Sequence, residues 1–252
     1  MDEQPLVSII MPSFNAERYI AHSIESVLAQ TYRHWELLVT DDCSTDSTPQ
    51  IVRAFAEKDE RINFAIAPKH QGIALTRNLS IHRAKGRFVA FLDNDDLWLP
   101  NKLEIQIGFM LSNNYAFSYS AYELMNEDGT PKHKVIKTKG EVDYYKYLRN
   151  TILGSGTIVM DVQQTGTLVM PLNATSDDMA LWCEVLKDGF VAYPINDVLM
   201  RYRIRNNSAS ANKIKASCDV WRVYRQQEKL SLWFSLWCFV GYAFNAVKKR
   251  LF

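Results

Sequence analysis

Residues 88–96 have the sequence FVAFLDNDD, in which five apolar residues are followed at once by Asp93, Asn94, Asp95 and Asp96. An apolar run of this length, bounded by polar residues, is typical of a strand buried on both faces of a sheet. The polar residues then mark the carboxyl end of that strand. Because ligands of open α/β sheets bind at the carboxyl ends of the strands, these four residues form the first candidate site.

Apolar runs of the same kind alternate with helical patterns on the N-terminal side of this strand. The patterns predict strands at residues 6–11, 35–40 and 62–67, and helices at residues 16–30, 49–57 and 73–84. Strands that alternate with helices predict an α/β fold with a doubly wound, mostly parallel sheet.

The alternation is less regular on the C-terminal side. We predict helices at residues 102–112 and 179–186, strands at 117–124, 158–160, 167–170 and 198–203, a hairpin turn or loop within 126–139, and a polar loop at 206–211. No linker rich in Pro, Gly or Ser marks a boundary. The expected organisation is one catalytic domain, residues 1–212, followed by a helical tail, residues 213–252.

Composition limits the class of protein. The chain has 252 residues, 47% of them apolar, and 29 Lys and Arg against 28 Asp and Glu, so its net charge is +1. This is a globular composition without a chain-wide basic footprint, and no nucleic-acid partner is expected. The cysteines have the spacing of neither a zinc site nor a disulfide framework, which indicates a reducing compartment: Cys43, Cys183, Cys218 and Cys238.

The acidic residues after two of the strands suggest a site for a cation. Three carboxylates within residues 93–96 repel one another unless they are fully solvated or share a cation, and oxygen ligands on a tight loop suit Mg²⁺ or Mn²⁺. A solvated acidic turn is the alternative. Asp41 and Asp42 follow the strand at 35–40, which is expected to lie beside the strand at 88–92. A second acidic pair next to the first strengthens the case for a site, although Asp41 and Asp42 could instead serve as turn-capping residues.

Five stretches resemble family 2 glycosyltransferases, which have the GT-A fold. They occur in family order between residues 6 and 210: VSIIMPSFNAERYIAHSIESVLAQTY, ELLVTDDCSTDST, GIALTRNLSIHRAKGRFVAFLDNDDLWLPNKLE, SDDMALWCEVLKDG and MRYRIRNNSAS. The resemblance is strongest to bacterial surface-polysaccharide enzymes, teichuronic-acid-type transferases included. It implies a doubly wound nucleotide-binding sheet, an irregular acceptor half and a C-terminal helical tail.

The resemblance also assigns residues to a nucleotide-sugar donor. Pro12 and Asn15 match the loop that lines the nucleotide. Asp41 matches the acidic residue that hydrogen-bonds the uracil ring, with Asp42 beside it, and a carboxylate can accept the imide N–H. Arg77 matches the basic residue that approaches the base or the diphosphate.

The sequence Asp93-Asn94-Asp95 resembles the D-x-D motif of the family. By this analogy Asp93 contacts the ribose or the metal, and Asp95 binds a Mg²⁺ or Mn²⁺ ion that bridges the diphosphate. Arg205 stands where the family often has a histidine that completes the metal site. Arginine does not ligate metals, so Arg205 is expected to pair with the diphosphate instead, which leaves the third protein ligand open.

Asp177 and Asp178 resemble the acidic pair of the family, in which the second carboxylate is the general base. Asp178 is therefore the expected catalytic base of an inverting transfer. The alternative is that both aspartates only cap the helix at residues 179–186.

The implied activity is transfer of a sugar, most readily from a UDP-sugar, to a lipid-linked saccharide in bacterial surface-glycan synthesis. A catalytically silent nucleotide-sugar-binding protein that organises a membrane complex is a rival from another class. Residues 10–19 contain no glycine, which argues against a sugar-phosphate nucleotidyltransferase and against dinucleotide binding.

Residues 230–247 carry no charge and contain Trp233 and Trp237 on one helical face. Lys248, Lys249 and Arg250 follow directly. The favoured interpretation is a helix, residues 230–250, that lies on the cytoplasmic face of the bacterial inner membrane and makes the enzyme peripheral. A spanning helix, a helix packed on protein, and a homodimer interface are the alternatives.

Overall fold

A computed structural model describes residues 4–172, 176–205 and 213–251. The alternation predicted for the first half of the chain is present: β1 (Val7–Ser13), α1 (Ile20–Leu28), β2 (Trp35–Asp41), α2 (Thr48–Ala56), β3 (Ile62–Ile66), α3 (Ile73–Ile81) and β4 (Phe88–Phe91). β1 and β4 are buried along their whole length, as their unbroken apolar sequences predict.

The second half contains more elements than the sequence indicated. They are β5 (Leu97–Trp98), α4 (Lys102–Asn113), β6 (Phe117–Met125), β7 (Pro131–Ile136), α5 (Tyr144–Arg149), a 3₁₀ turn (Ser155–Thr157), β8 (Ile158–Asp161), α6 (Val162–Thr165), α7 (Asp177–Lys187), β9 (Tyr193–Arg203), α8 (Lys213–Arg222), a π turn (Val223–Gln227) and α9 (Leu232–Leu251). The predicted hairpin forms between β6 and β7. The predicted loop at 206–211 lies outside the described residues.

The strand predicted at residues 167–170 does not form, and that prediction was wrong. The backbone of Met170 is hydrogen-bonded to a side chain instead of to a neighbouring strand. Its N–H donates to Asn78 Oδ1 at 2.7 Å, and its carbonyl accepts from Asn78 Nδ2 at 2.9 Å. The apolar side chains that suggested a strand, Leu168 and Met170, are buried in an irregular segment.

The described strands form one sheet in the order β3-β2-β1-β4-β8-β6-β9-β5, with β7 paired to β6. β3, β2, β1 and β4 are parallel, as predicted. β8 is antiparallel to both β4 and β6, whereas β6 and β9 are parallel. The mostly parallel character therefore belongs to the first half of the chain, and the second half is mixed.

Helices cover both faces of the sheet. Ile9 and Ile10 are neighbours on β1, and their side chains lie in different cores because successive residues of a strand face opposite sides. One core includes side chains from α1, α2 and α4. The other includes side chains from α3, α5, α7 and the C-terminal helices. Because helices cover both faces, the edge of the sheet at which ligands are expected to bind lies between two helical layers.

The C-terminal helix α9 packs on the molecule through one stripe. Ser235, Cys238 and Gly241 are buried, three residues apart, and α9 contacts α5. This is the packing alternative considered from the sequence, and it holds for one face of the helix. None of the helices in the described residues combines the length and the apolar character needed to cross a bilayer.

Candidate functional site

The predicted site residues lie at the carboxyl edge of the parallel strands. β1 stands between β2 and β4, so the acidic pair that ends β2 and the acidic loop after β4 are two strand spacings apart, about 10 Å. The sequence suggested that these strands were neighbours, and the intervening β1 corrects that expectation. Pro12, near the end of β1, occupies the space between them, and its carbonyl accepts a hydrogen bond from Asn94 Nδ2 at 3.1 Å.

Each of two carboxylates in the loop after β4 is paired with an arginine. Asp93 Oδ1 lies 2.7 Å from Arg77 Nη2, and Asp95 Oδ2 lies 2.6 Å from Arg205 Nε. Arg205 thus stands beside the D-x-D segment, where the family comparison placed it. Any cation that binds Asp95 has to take the place of this guanidinium or share the carboxylate with it.

Burial raises the pKa of the Asp95 carboxyl, and the neighbouring Asp93 charge raises it further, against the opposing effect of Arg205. The pKa of Asp96 lies well above its ordinary value for the same reasons, with burial first and the charges of Asp95 and Asp93 after it. Asp96 Oδ1 accepts a hydrogen bond from the backbone N–H of Arg203 at 2.9 Å. Asp96 therefore anchors β9 beneath the loop, while Asp93 and Asp95 face the candidate site.

Arg77 connects the acidic loop with the start of α7. Its side chain is 5% exposed, and its pKa is raised although burial alone would lower it. The charges that raise it belong to Asp93, Asp178 and Asp177. Arg77 Nε is buried and has no hydrogen-bond partner among the described residues. The guanidinium is thus paired with Asp93 and lies close enough to Asp177 and Asp178 for their charges to raise its pKa.

Asp178 is fixed by hydrogen bonds from two sides. Ser155 Oγ donates to Asp178 Oδ2 at 3.1 Å, and Ser176 Oγ and the N–H of Met179 donate to Oδ1 at 3.1 and 2.8 Å. The bond from Met179 agrees with the helix-start alternative, but the same carboxylate also lies in the field of Arg77.

Asp177, the other member of the acidic pair, has its pKa raised to about 6 by burial and by Asp178. Arg77 opposes this shift. For Asp177, burial and the like charge dominate.

Ser155 was not identified from the sequence. It opens the 3₁₀ turn between two glycines, Gly154 and Gly156, and that Gly-Ser-Gly sequence is the signal that could have found it. A Cβ at Gly156 would come within 2.5 Å of Met200 Cε, so only glycine fits there without a shift. Trp98 Nε1 donates to the Gly156 carbonyl at 2.9 Å, which fixes the turn against the loop after β4.

A buried lysine supports the same turn. Lys102 Nζ donates to Gln106 Oε1 at 2.7 Å and to the Thr157 carbonyl at 3.3 Å, and it lies 5.0 Å from the centre of the Trp98 ring. Burial lowers the pKa of Lys102 to about 7. Gln106 Nε2 donates to the same Thr157 carbonyl at 2.9 Å. These polar contacts set the position from which Ser155 reaches Asp178.

The acidic pair after β2 organises the neighbouring loops. Asp41 is fully buried and accepts hydrogen bonds from Ser13 Oγ, Ser44 Oγ and the N–H of Ser44. Asn15, with φ of 45°, accepts a hydrogen bond from the N–H of Thr45 at 2.9 Å. These contacts hold the 43–45 turn against the end of β1.

Asp42 organises the approach to α3. Its two carboxylate oxygens accept hydrogen bonds from the N–H groups of Gln71 and Gly72, at 2.9 and 2.8 Å. His70 Nδ1 lies 2.9 Å from the same carboxylate. Phe14, which is exposed, has its ring 4.6 Å from that of His70. Asp42 therefore joins the end of β2 to the start of the helix that carries Arg77.

Asp93 and Asp95 are the residues that could hold a metal. Among the described residues no three His, Cys, Asp or Glu side chains converge into a cage for one ion. Two carboxylates nonetheless fit a hard divalent ion that takes its remaining ligands from water and substrate phosphates, which is the usual arrangement for Mg²⁺. The pKa of Asp95 is raised first by burial and then by the charge of Asp93, and a cation would relieve the repulsion between these two carboxylates.

The sequence was compared with known families and proteins. The family described as "Glycosyl transferase family 2" matches residues 8–166. TuaG of Bacillus subtilis, a glycosyltransferase named for teichuronic acid biosynthesis, is 48% identical over 248 residues, which are 98% of each chain. WfgD of Escherichia coli is named UDP-Glc:alpha-D-GlcNAc-diphosphoundecaprenol beta-1,3-glucosyltransferase; it is 42% identical and covers 86% of this chain and 85% of its own.

Solved structures show the same fold at lower identity. S. aureus TarS 1–349 in complex with UDP-GlcNAc superposes with a TM-score of 0.70 at 20% identity; the match covers 87% of this chain and 64% of that one. Mannosyltransferase PcManGT from Pyrobaculum calidifontis, in complex with GDP-Man and Mn²⁺, also has a TM-score of 0.70, at 19% identity, over 91% of this chain and 66% of its own. The fold is GT-A, and with the matches above, the chain belongs to glycosyl transferase family 2 and is a glycosyltransferase of polysaccharide biosynthesis.

Proposed function

We propose that this enzyme is an inverting glycosyltransferase that moves a sugar from a nucleotide sugar, specifically a UDP-sugar, to a lipid-linked saccharide during cell-surface polysaccharide synthesis. One observation carries the proposal. The buried Arg77 lies in the field of Asp93 on the donor side and of Asp177 and Asp178 on the other side. An acidic loop suited to the donor diphosphate and a carboxylate suited to act as base thus lie close to the same buried cation, and this proximity supports a one-step displacement at a sugar carbon.

Asp178 serves as the general base. It takes the proton of the acceptor hydroxyl as that oxygen forms a bond to C1 of the sugar, and the bond from C1 to the diphosphate oxygen breaks with its electron pair leaving on the diphosphate. The hydrogen bonds from Ser155 and Ser176 hold the carboxylate in one orientation.

The donor is held at the carboxyl edge of β1, β2 and β4. Pro12, Asn15, Asp41 and Asp42 line the nucleotide, and Asn94 orders the strand end beside them. Asp93 and Asp95 would hold Mg²⁺ or Mn²⁺, and a bound ion would supply charge neutralisation for the leaving diphosphate. Arg77 and Arg205 are positioned to pair with phosphate oxygens, and the unpaired Nε of Arg77 supports this role.

The acceptor proposal is supported by the relatives. WfgD is named for an acceptor joined to diphosphoundecaprenol. We place the enzyme at the cytoplasmic face of the inner membrane, with residues 1–212 as the catalytic domain and the tail 213–252 attached peripherally through residues 230–250. A helix with an unburied apolar face would bring the site to a lipid-linked substrate.

Substitution of the base tests the proposal. Asp178→Asn keeps the shape of the side chain and removes its basicity, so we expect donor binding to persist and the transfer rate to fall by about 10²–10⁴-fold. Donor binding is measured as the thermal shift caused by UDP-sugars with Mn²⁺, and transfer with a GlcNAc-diphosphate-lipid acceptor. Asp188→Asn, on the exposed C-cap of the same helix, is the matched control. Normal turnover of Asp178→Asn would assign the base to another group.

Metal removal tests the role of Asp93 and Asp95. We expect excess chelator to abolish transfer and Mn²⁺ or Mg²⁺ to restore it, because two carboxylates and two arginines do not replace a divalent ion at the diphosphate. The measurement is the initial rate of transfer after dialysis against chelator. Full activity under those conditions refutes the metal assignment and leaves the base assignment standing.

A further inference from the structure

A groove of about 350 Å³ lies between α5 and α9. Its lining includes three cations, two carboxylates and two aromatic rings, which are Lys139, Lys146, Arg149, Glu141, Asp143, Tyr145 and Trp237. Trp237 lies in the groove wall and is also half exposed on α9. The groove therefore adjoins the surface of α9 that faces away from the protein.

That surface, which we call the outer face of α9, is a continuous apolar stripe. Trp233, Val240 and Phe244 are 80%, 68% and 67% exposed, and the remaining members are Leu232, Leu236, Trp237 and Val247. Their spacing of three or four residues places them on one side of the helix. Residues 232–247 carry no charge. An apolar stripe of this length on a monomer indicates a surface that contacts another phase or another molecule.

Arg149 lies at the junction of the groove and the outer face. Its guanidinium carbon is 4.1 Å from the centre of the Trp237 ring. Gly241 permits this approach, because a Cβ there would lie 3.0 Å from Arg149 Nε and 3.1 Å from Arg149 Cβ. Asn245 Nδ2 donates to the Arg149 carbonyl at 3.2 Å. In the part of the chain that the structure describes, no carboxylate forms an ion pair with this guanidinium.

Among the described residues, Arg149 is the one cation of the groove lining whose charge is not balanced by another charged residue of that lining. Asp143 caps α5 by accepting from the N–H of Lys146 at 2.8 Å, and its carboxylate lies 3.9 Å from Lys146 Nζ. Lys146 Nζ also donates to the Glu141 carbonyl at 3.2 Å. The pair Asp143–Lys146 is therefore largely satisfied internally. Lys139 balances Glu141 in net charge, and Arg149 supplies the excess positive charge beside the apolar stripe.

We propose that the outer face of α9 docks on a lipid bilayer and that the groove binds the phosphate headgroup of an anionic phospholipid through Arg149. This deepens the peripheral attachment that forms part of the proposed function, and it rests on that proposal. Tryptophans favour the interface between acyl chains and headgroups, and a cation next to them meets the phosphate at that depth. A second copy of the chain fits less well, since a two-fold contact across this face would bring the same cations together.

Vesicle binding by the full chain tests the proposal. Vesicles of phosphatidylcholine alone are compared with vesicles that contain phosphatidylglycerol, by co-sedimentation at two salt concentrations. We expect tighter binding to the anionic vesicles, a loss of about fivefold for Arg149→Gln on those vesicles, and little change for it on neutral ones. Lys58→Gln removes one exposed cation next to α2, which packs beside α1 and β3, and serves as the matched control.

A double variant that carries Trp233→Ser and Phe244→Ser tests the contribution of the apolar stripe separately from that of Arg149. This pair should lower binding to both kinds of vesicle, because it removes buried apolar area rather than charge. Equal binding of Arg149→Gln, Lys58→Gln and the unsubstituted chain to anionic vesicles overturns the headgroup site. A dimer in lipid-free solution that the double variant converts to monomer overturns the bilayer as the occupant of the outer face.

Donor binding separates this inference from the proposed function. Each variant is also tested for the thermal shift caused by UDP-sugars with Mn²⁺. A chain that binds anionic vesicles but no nucleotide sugar leaves the lipid site standing and removes the transferase proposal. A chain that binds the donor but not vesicles leaves the transferase proposal standing and removes the lipid site.

Discussion

Arg77 determines the electrostatics of the site. It is buried on α3, and it lies in the field of carboxylates from β4 and α7, segments separated by about 85 residues of sequence. Burying a guanidinium is costly unless partners compensate it. Its pKa is nevertheless raised, so the carboxylates more than offset the burial. Removal of Arg77 would leave like charges facing one another in a partly buried site.

Asp177 provides a prediction about pH at this scale. Its pKa is raised from 3.8 to about 6, so the folded chain holds this proton more tightly than the unfolded chain. Between about pH 4 and pH 6 the free energy of unfolding therefore falls as pH rises, because Asp177 loses its proton. Above pH 6 Asp177 is ionised in the folded chain and destabilises it by a constant amount. We expect Asp177→Asn to stabilise the protein by about 1 kcal/mol at pH 8, after allowance for partial exposure, and by less at pH 4.

Urea unfolding at the two pH values measures this effect, with Asp188→Asn as the control on the same helix. An Asp177→Asn variant whose free energy of unfolding changes equally at pH 4 and pH 8 contradicts the raised pKa.

The sequence predicted the acidic pair and its place at a helix start. It could not predict the sign of the shift, since that depends on how deeply the 3₁₀ turn and Arg77 enclose the pair.

Among the elements, the 3₁₀ turn Ser155–Thr157 supplies one of the hydrogen bonds that orient the proposed base. Trp98, Lys102 and Gln106 hold its carbonyl groups, and its first residue donates to Asp178. The sequence predicted a strand at 158–160 but no turn before it. A three-residue turn has no periodicity, and its position is fixed by side chains that are distant in sequence.

Gly156→Ala tests the turn as an element. The new Cβ would lie 2.5 Å from Met200 Cε and 2.7 Å from Met200 Sδ. These atoms are the far end of a flexible side chain that can move aside, so we expect a cost at the lower end of the ~1–3 kcal/mol typical of overpacking. We expect lower stability in urea together with slower transfer at unchanged donor affinity, because the turn moves with Ser155. Gly108→Ala, in α4 with open space around its Cβ position, is the control. Unchanged transfer in a destabilised Gly156→Ala would separate the turn from catalysis.

The elements of the first half were predictable because each has a single strong signal. Its central strands are buried on both faces, so their sequences are unbroken apolar runs, and its helices repeat apolar side chains on one face. The strand prediction at residues 167–170 was wrong because burial alone does not define a strand. Leu168 and Met170 are buried, but the side chain of Asn78 takes the backbone hydrogen bonds that a neighbouring strand would otherwise make.

At the scale of the whole molecule, the C-terminal helices contribute side chains to the core. Cys238 and Tyr224 are fully buried, and Glu228 accepts a hydrogen bond from Tyr144 Oη at 2.6 Å. The sequence predicted the helical tail and its exposed tryptophans. It did not show that the opposite stripe of α9 packs on α5, because both stripes are apolar.

Deletion of residues after Glu228 should therefore have two effects. It removes the outer face of α9, and it also uncovers apolar side chains of α5 and the core beneath it. We expect a lower midpoint of thermal unfolding and stronger binding of a hydrophobic dye, in addition to loss from the membrane fraction. The double variant at Trp233 and Phe244, which leaves the packed stripe intact, is the control. An unchanged midpoint after deletion would mean that α9 contributes no core packing.

The ladder between β4 and β8 restricts how the enzyme can move. Phe88, Val89 and Ala90 pair with Asp161, Met160 and Val159, so the two halves of the chain share one hydrogen-bonded sheet with a core on either side. A hinge motion that moved the two halves apart would break the hydrogen bonds between β4 and β8 and expose both cores to solvent. We therefore expect substrates to enter and leave through rearrangement of rim loops, while the sheet that positions the acidic loop after β4 keeps its geometry.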